Sequence, residues 1–266
     1  MINKDFNSIL DLINAFPDEE ICIKHLEELR WNGYVVSPFD RTSIVYECSN
    51  SRYRCKNTSK YFNVKTGTLF DNTKVKLQKW FIAIWLINSH KKGISSLQLA
   101  KDINVTQKTA WFMLQRIRAC FRIENDNDLD NTLEADETYV CCKNKNRHQD
   151  KKMPNSQARS TKDKTLSIGM VERNRKLNVR KVCDVTAKTL TVEIVRINTN
   201  TIEDFWSLLK KLIVGIYRFT SKKYLQRYVD DFVFRYNTRN RSESGRFNLL
   251  LANTEIRITY KGLIYG

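Results

Sequence analysis

The sequence has no long apolar run: no stretch reaches the roughly 18 residues that a membrane-spanning helix needs. Its opening residues, MINKDFNSILDLINAF, lack the basic segment and the small-residue cleavage site of a secretory signal peptide. The seven cysteines are odd in number and irregularly spaced, which argues against a disulfide framework and suits a reducing compartment. These absences predict a cytoplasmic protein that neither crosses a membrane nor is secreted.

Acidic residues are few relative to basic ones. The chain holds 46 Lys and Arg against 29 Asp and Glu, which gives a formal net charge of +17. The excess is uneven, because residues 1–30 carry a net −4 and the remainder therefore carries +21. A basic field of this size indicates a polyanionic partner, most often nucleic acid. The alternatives are a solvated basic surface without a partner and, less consistent with the scattered cations, an anionic membrane.

The pattern of apolar and turn residues divides the chain into four segments. Residues 1–32 show helical spacing, and Pro17 followed by three acids marks the first turn of a helix. Residues 33–72 alternate β-prone pairs with turn residues, which is typical of a ribbon of small hairpins. Residues 73–123 return to helical spacing in three pieces, and residues 132–266 follow a polar, acidic linker. The sequence thus predicts an α+β chain.

The last segment opens with a predicted strand, LEADETYV, which two adjacent acids, Asp136 and Glu137, interrupt. An acid inside a strand needs a partner for its charge, unless the strand is a solvent-facing edge. The basic, apolar-poor residues 141–164 predict a mobile loop. TLSIGMVERN and KLNVRKVCDV predict a hairpin, and the pattern is mainly helical from Thr186 onward.

The stretch SSLQLAKDINVTQKTAWFMLQRIRACF has the pattern of a helix-turn-helix. Its first helix and turn are predicted to bury Leu97, Ala100, Ile103 and Val105. We expect Thr106 to cap the second helix, whose predicted buried stripe comprises Ala110, Met113, Leu114 and Ile117. This orientation projects Gln107, Lys108, Arg116 and Arg118 outward as candidate DNA-binding residues. The alternative is a plain helical hairpin with a solvated basic face.

The segment 33–72 has the layout of a zinc ribbon but not its ligands. Structural zinc requires two C-x-x-C knuckles, and the corresponding positions are Ser37, Asp40, Cys55 and Thr58. Because only Cys55 is a strong ligand, the sequence predicts a ribbon that folds without zinc. Its predicted apolar core comprises Val35, Val45, Tyr53, Phe62, Val64 and Phe70.

Several blocks of the sequence occur in an order that is typical of one family. They are FPDEE-x-C, LRW-x-x-G, YRCK…F-x-V-x-TGTLF, WF…GISSLQLAKD…TQKTAWFMLQRIR, DETYV, and NTNTIEDFWSLLKK…GIY…SKKYLQRYVDDFVFRYNTR. From about residue 5 to its end, the chain resembles insertion-sequence transposases of the IS1595 family, also called ISXO2-like. The resemblance implies a ribbon, a helix-turn-helix and an RNase-H-like catalytic domain. It also implies binding of double-stranded DNA at element ends, followed by cleavage and strand transfer.

The resemblance further implies a two-metal site. In this family an Asp on the first strand, an Asp on the fourth strand and a Glu or Asn on a later helix hold two Mg²⁺ ions. Asp136 matches the first-strand ligand, and Asn200 matches the Asn-type members. Glu203 lies on or beside the same helical turn, and Lys210 matches a family lysine seven residues further on. These four are the predicted catalytic residues, with Asp136 and Asn200 as Mg²⁺ ligands.

The second Asp of the family is missing. Family members continue for some tens of residues after DVTAKTLTVEIV, whereas here EIVRI runs directly into NTNTIEDFW. Neither Asp184 nor Glu193 lies in a strand of the right order. We therefore expect a truncated RNase-H-like domain, shortened by an internal deletion, with impaired catalysis. The alternatives are a non-catalytic DNA-binding protein that recognises element ends and a remnant that folds poorly. The target sequence and any homo-oligomer stay open.

Overall fold

A computed structural model of the chain describes residues 5–125, 133–140, 149–151, 165–172, 176–182, 200–217 and 220–265, with the side chains of Leu133, Lys151 and Asn200 left out. The predicted loop at 141–164, apart from Gln149–Lys151, lies outside these residues, as does most of the predicted acidic linker. So do Asp184 and Glu193. None of the helices in the described part is long and apolar enough to cross a membrane.

The described residues form helices and two small antiparallel sheets, which confirms the predicted α+β class. The helices are α1 Ile9–Ala15, α2 Glu19–Trp31, α3 Leu77–Ser89, α4 Ser96–Asp102, α5 Gln107–Cys120, α6 Asn200–Leu212, α7 Leu225–Asn237, α8 Glu243–Ala252 and α9 Tyr260–Tyr265. The strands are β1 Val45–Cys48, β2 Arg52–Cys55, β3 Tyr61–Phe62, β4 Leu133–Val140, β5 Thr165–Glu172 and β6 Leu177–Val182. A 3₁₀ segment, Phe121–Asn125, follows α5, and a π-helical turn, Ile213–Tyr217, follows α6.

The chain forms two compact units. The first comprises Met1–His90, Ser96–Cys120 and Arg241–Gly266, and the second comprises Lys91–Ser95 and Phe121–Asn240. The helices α8 and α9, which fall within the predicted last domain, are therefore part of the first unit. Phe247 of α8 explains this placement, because its ring packs 5.2 Å from Phe6 and 5.8 Å from Phe81, measured between centroids.

Side-chain caps mark the starts of two helices. The Asp18 carboxylate accepts a hydrogen bond from the Ile21 N–H at 2.9 Å, so α2 begins at Glu19; the predicted first turn therefore contains Glu19 and Glu20, while Pro17 precedes the cap. The Thr106 hydroxyl accepts from the Thr109 N–H at 3.2 Å and caps α5, as predicted. Local sequence therefore sets where these helices begin.

The helical hairpin α4–α5 buries most of the predicted positions. Ala100 and Ile103 are buried, as is the stripe Ala110, Met113, Leu114 and Ile117. The prediction that Leu97 packs inward is wrong, because its side chain is 62% exposed. The helix α4 instead buries Leu99 and Ile103, which lie four residues apart, and Leu97 lies about 200° around the helix from Leu99.

The first sheet, β1–β2–β3, is antiparallel and belongs to the predicted ribbon. One of its faces is covered, since Tyr53, Cys55 and Phe62 are buried. Two further members of the predicted core, Val64 and Phe70, are also buried. The other two, Val35 and Val45, are only half-buried.

The second unit is built on the sheet β4–β5–β6, in which each strand pairs antiparallel with the next. This confirms the predicted first strand and the hairpin that follows it. The helices α6 and α7 cover one face of the sheet. The buried apolar core between them comprises Val140, Val171, Leu177, Val179, Ile202, Phe205, Trp206, Leu209, Ile213, Leu225, Val229 and Val233.

Candidate catalytic and DNA-binding residues

Asp136 lies near the middle of β4, directly opposite Gly169 of β5. Side chains alternate between the two faces of a strand, so Asp136 shares its face with Val140, a member of the buried core. Asp136 is half-buried on this face, whereas its neighbour Glu137 points to the other face and is exposed. Asp136 therefore faces the helices rather than open solvent. Of the two adjacent acids, only Glu137 is exposed to solvent, as the alternative interpretation of a solvent-facing strand expected for both.

The helix α6 packs tightly over the strand position opposite Asp136. A Cβ atom on Gly169 would lie 2.8 Å from Cζ2 of Trp206 and 2.9 Å from Cδ1 of Ile202, closer than side-chain carbons approach one another. Only glycine permits this approach. The fold thus brings the first half of α6, where the predicted residues Asn200 and Glu203 lie, to the Asp136 face of the sheet.

The outer face of α6 carries the other predicted catalytic residues. Glu203 and Lys210 are exposed, and the opposite side of the helix buries Ile202, Phe205 and Leu209. Seven residues make almost two full turns, so Glu203 and Lys210 lie on one side of the helix, about 10 Å apart along its axis. Asn200 is the first residue of α6. The structure therefore places Glu203 and Lys210 on the exposed face of α6.

Polar groups that the sequence analysis missed surround Asp136 on the same sheet face. The register places Glu134, Thr138 and Ser167 on this face, and Thr138 and Ser167 are buried. Among the described residues, Oε2 of Glu134, Oγ of Ser167 and Nε1 of the adjoining Trp206 are buried without a hydrogen-bond partner. Such groups are costly to bury. The alternation of polar residues at 134, 136 and 138 was the available signal.

The described residues alone do not fit a two-metal site. Within them, no three His, Cys, Asp or Glu side chains come together in a way that could hold a metal ion. Mg²⁺ needs several converging oxygens, and a two-metal mechanism needs a carboxylate that bridges both ions.

The first turn of α5 presents the two predicted DNA-binding residues Gln107 and Lys108, which are both exposed. The Gln107 side-chain amide donates to the Ser96 hydroxyl at 3.3 Å, which joins the starts of α4 and α5. The Lys108 ammonium lies 5.3 Å from the centroid of the Tyr260 ring. Both side chains are therefore positioned at the surface, where they could meet a nucleic acid.

The prediction that Arg116 and Arg118 project outward is wrong. Arg118 is 1% exposed and Arg116 is 4% exposed. The Arg116 guanidinium donates to the main-chain oxygens of Leu69, Asp71 and Ile258 at 2.9, 2.9 and 3.0 Å, and burial lowers its pKa. The segment around Ile258, far away in sequence, covers this part of α5. Arg116 therefore stabilises the first unit.

Hydrogen bonds close the ribbon turns at the positions that correspond to the ligands of a zinc ribbon. The Ser37 hydroxyl accepts from the Phe39 N–H at 3.2 Å and from the Asp40 N–H at 3.4 Å. The Asp40 carboxylate accepts from the Asn57 amide at 2.7 Å. Hydrogen bonds from the hydroxyl groups of Ser37 and then Ser43 lower the pKa of the buried Cys55 thiol to about 6.

Two comparisons with known proteins bear on this arrangement. Residues 191–237 match the model of the ISXO2-like transposase domain, and this span includes α6 and α7. A protein of the transposable element ISH50 from Halobacterium salinarum (strain ATCC 700922 / JCM 11081 / NRC-1), described as uncharacterized, is 31% identical over 142 residues. The predicted resemblance to insertion-sequence transposases is confirmed. The matched region covers 52% of this transposase-like chain and 47% of the relative, so the chain spans about half the length of that relative. No solved structure matches the chain.

Proposed function

We propose that the chain is an insertion-sequence transposase that binds duplex DNA at the ends of its element. The observation that carries this proposal is the match of residues 191–237 to the ISXO2-like transposase domain. Three antiparallel strands with α6 across the face of Asp136 support an RNase-H-like architecture for the second unit. In this architecture Asp136, Asn200 and Glu203 belong to one catalytic centre, and Lys210 lies beside it.

The proposed catalytic centre is incomplete. Mg²⁺ would supply an activated oxygen nucleophile and stabilise the leaving oxygen in the cleavage of a phosphodiester. Asp136 and Asn200 are the residues of this chain proposed to contact it. The family's second Asp has no counterpart in this sequence, which supports an internal deletion. We therefore propose that cleavage and strand transfer are impaired, while DNA binding is retained.

Duplex DNA binding is assigned to the first turn of α5. Gln107 and Lys108 are exposed there, and the chain beyond residue 30 carries a large excess of positive charge. In a helix-turn-helix the start of the second helix meets base edges, and cations around it meet phosphates. Arg116 and Arg118 are not part of this surface, because both are buried.

The test is a titration of the full chain with duplex DNA that contains an element end, at 50 and 200 mM salt. If six or more phosphates are neutralised, affinity falls about a thousandfold between these concentrations. Lys108→Ala weakens binding and lowers the salt slope by about 1. The matched control is Lys24→Ala, which removes an exposed lysine from α2. A duplex affinity that changes neither with salt nor in Lys108→Ala would contradict the proposal.

A further inference from the structure

The solvent-facing side of the sheet β1–β2–β3 carries a row of three side chains, one from each strand. The register places Tyr46 of β1 opposite Arg54 of β2, and Arg54 opposite Tyr61 of β3. Neighbouring strands lie about 4.8 Å apart, so Tyr46 and Tyr61 stand on either side of Arg54 in adjacent strands. Tyr46 is 47% exposed and Tyr61 is 61% exposed, and Arg54 is also exposed. We call this set the aromatic–arginine row.

Cations run along the central strand at right angles to this row. Arg52 and Arg54 point to the same outer face of β2, about 6.7 Å apart, and both are exposed. Lys56 continues the series, because its main-chain N–H still pairs with the oxygen of Ile44 at 3.0 Å. The acid of these strands, Glu47, lies opposite the buried Tyr53 and therefore on the other face. The outer face of the three strands is thus positively charged and bears no acid.

A cation and a ring are paired on this surface. The Arg54 guanidinium lies 5.9 Å from the centroid of the Tyr61 ring on the neighbouring strand. Such pairs keep large aromatic side chains at the surface beside positive charge. Exposed rings beside exposed cations provide flat stacking faces next to positive charge. A partner that fits must offer flat apolar faces and negative charges at short intervals.

We infer that this face binds single-stranded DNA, with bases stacked on Tyr46 and Tyr61 and with phosphates along Arg52, Arg54 and Lys56. Stacking on a protein ring requires a base whose own face is free, and the bases of an intact duplex cover one another. The choice of DNA over RNA rests on the proposed transposase function. The face is distinct from the first turn of α5, so the chain holds one surface for duplex DNA and another for unpaired DNA.

The test measures binding of the full chain to a fluorescent single-stranded oligothymidine and to a duplex of equal length. Tyr46→Leu and Tyr61→Leu each weaken single-strand binding about tenfold, since stacking on an aromatic ring accounts for that range. Arg54→Ala lowers the salt slope of single-strand binding by about 0.7. The matched control is Tyr265→Leu, which removes a ring that is 84% exposed on α9 and leaves binding unchanged. Thermal melts confirm that the variants stay folded.

Duplex binding separates this inference from the proposed function. Both tyrosine variants retain wild-type affinity for the duplex, and Lys108→Ala weakens duplex binding alone. Unchanged single-strand affinity in both tyrosine variants would overturn the inference, as would an equal loss on both DNA forms. Tighter binding of single-stranded RNA than of single-stranded DNA would overturn the assignment to DNA. Absence of duplex binding by the wild-type chain would instead contradict the proposed function.

Discussion

The guanidinium of Arg116 donates a hydrogen bond to the main-chain oxygen of Leu69 at 2.9 Å, although the two residues lie 47 positions apart. The same guanidinium also donates to the main-chain oxygens of Asp71 and Ile258, so three carbonyl groups surround this buried cation. Charge-assisted hydrogen bonds of this kind join segments of the first unit that are far apart in sequence. Arg116 is therefore a structural residue on a helix whose first turn is exposed.

The first prediction separates stability from DNA binding on α5. Arg116→Ala should lower the free energy of unfolding by about 3 kcal/mol, because it leaves buried carbonyl groups without their donor. Urea denaturation measures this loss. Lys108→Ala should instead leave the denaturation midpoint within error and weaken duplex binding. An Arg116→Ala chain as stable as the wild type would contradict the burial of this guanidinium.

The second prediction concerns the packing of α6 against the sheet at Gly169, opposite Asp136. Gly169→Ala should destabilise the chain by about 1–3 kcal/mol, because the added methyl group meets Trp206 and Ile202. The control is Gly215→Ala, whose methyl group would meet nothing within 4 Å. Thermal or urea denaturation of both variants measures the difference in their stability. Equal stability of the two would show that α6 does not pack against β5 in this way.

The third prediction is that residues 33–72 fold without zinc. Ser37 and Asp40 close the turns by hydrogen bonds, and neither residue is a thiolate. Elemental analysis of protein purified without added metal should find less than one zinc per chain. Treatment with a chelator should leave the circular dichroism spectrum unchanged. One tightly held zinc per chain would refute the prediction.

The fourth prediction is a pH dependence from Cys55. The pKa of its thiol is lowered to about 6 in the folded chain, whereas an unfolded cysteine titrates near about 8.5. A lowered pKa stabilises the fold above the unfolded value, and this stabilisation is lost as pH falls through the folded value. The free energy of unfolding of the wild type, relative to Cys55→Ala, should therefore be greatest above about pH 8.5 and decline towards about pH 6. A difference that does not vary with pH would contradict the lowered pKa.

The fifth prediction addresses catalysis at Asp136. Because the proposed catalytic centre lacks a second Asp, we expect no nicking or strand transfer above background with Mg²⁺ or Mn²⁺. Asp136→Asn should then change little in a plasmid-nicking assay. Metal-dependent cleavage that disappears in Asp136→Asn would refute the proposed impairment. It would also indicate that another acid, Asp184 or Glu193, acts as the second metal ligand.

Features that depend on neighbouring residues could be predicted from the sequence. The starts of α2 and α5 follow from Asp18 and Thr106, because a cap satisfies N–H groups only a few residues away. The hairpin of β5 and β6 likewise follows from apolar patterning around a short turn. Asp136 stood out for a similar reason, as an acid that interrupts a strand. The motifs that carry the transposase resemblance are contiguous stretches as well.

The tertiary structure alone decided what packs against these elements. The sequence shows cations on α5, but only the segment around Ile258, 142 residues beyond Arg116, decides that this one is buried. Phe247 likewise brings α8 to the N-terminal helices through rings that no local pattern connects. The row formed by Tyr46, Arg54 and Tyr61 exists only once the strand register is set. Caps and periodicity act over one or two turns, whereas burial depends on which distant segments the folded chain brings together.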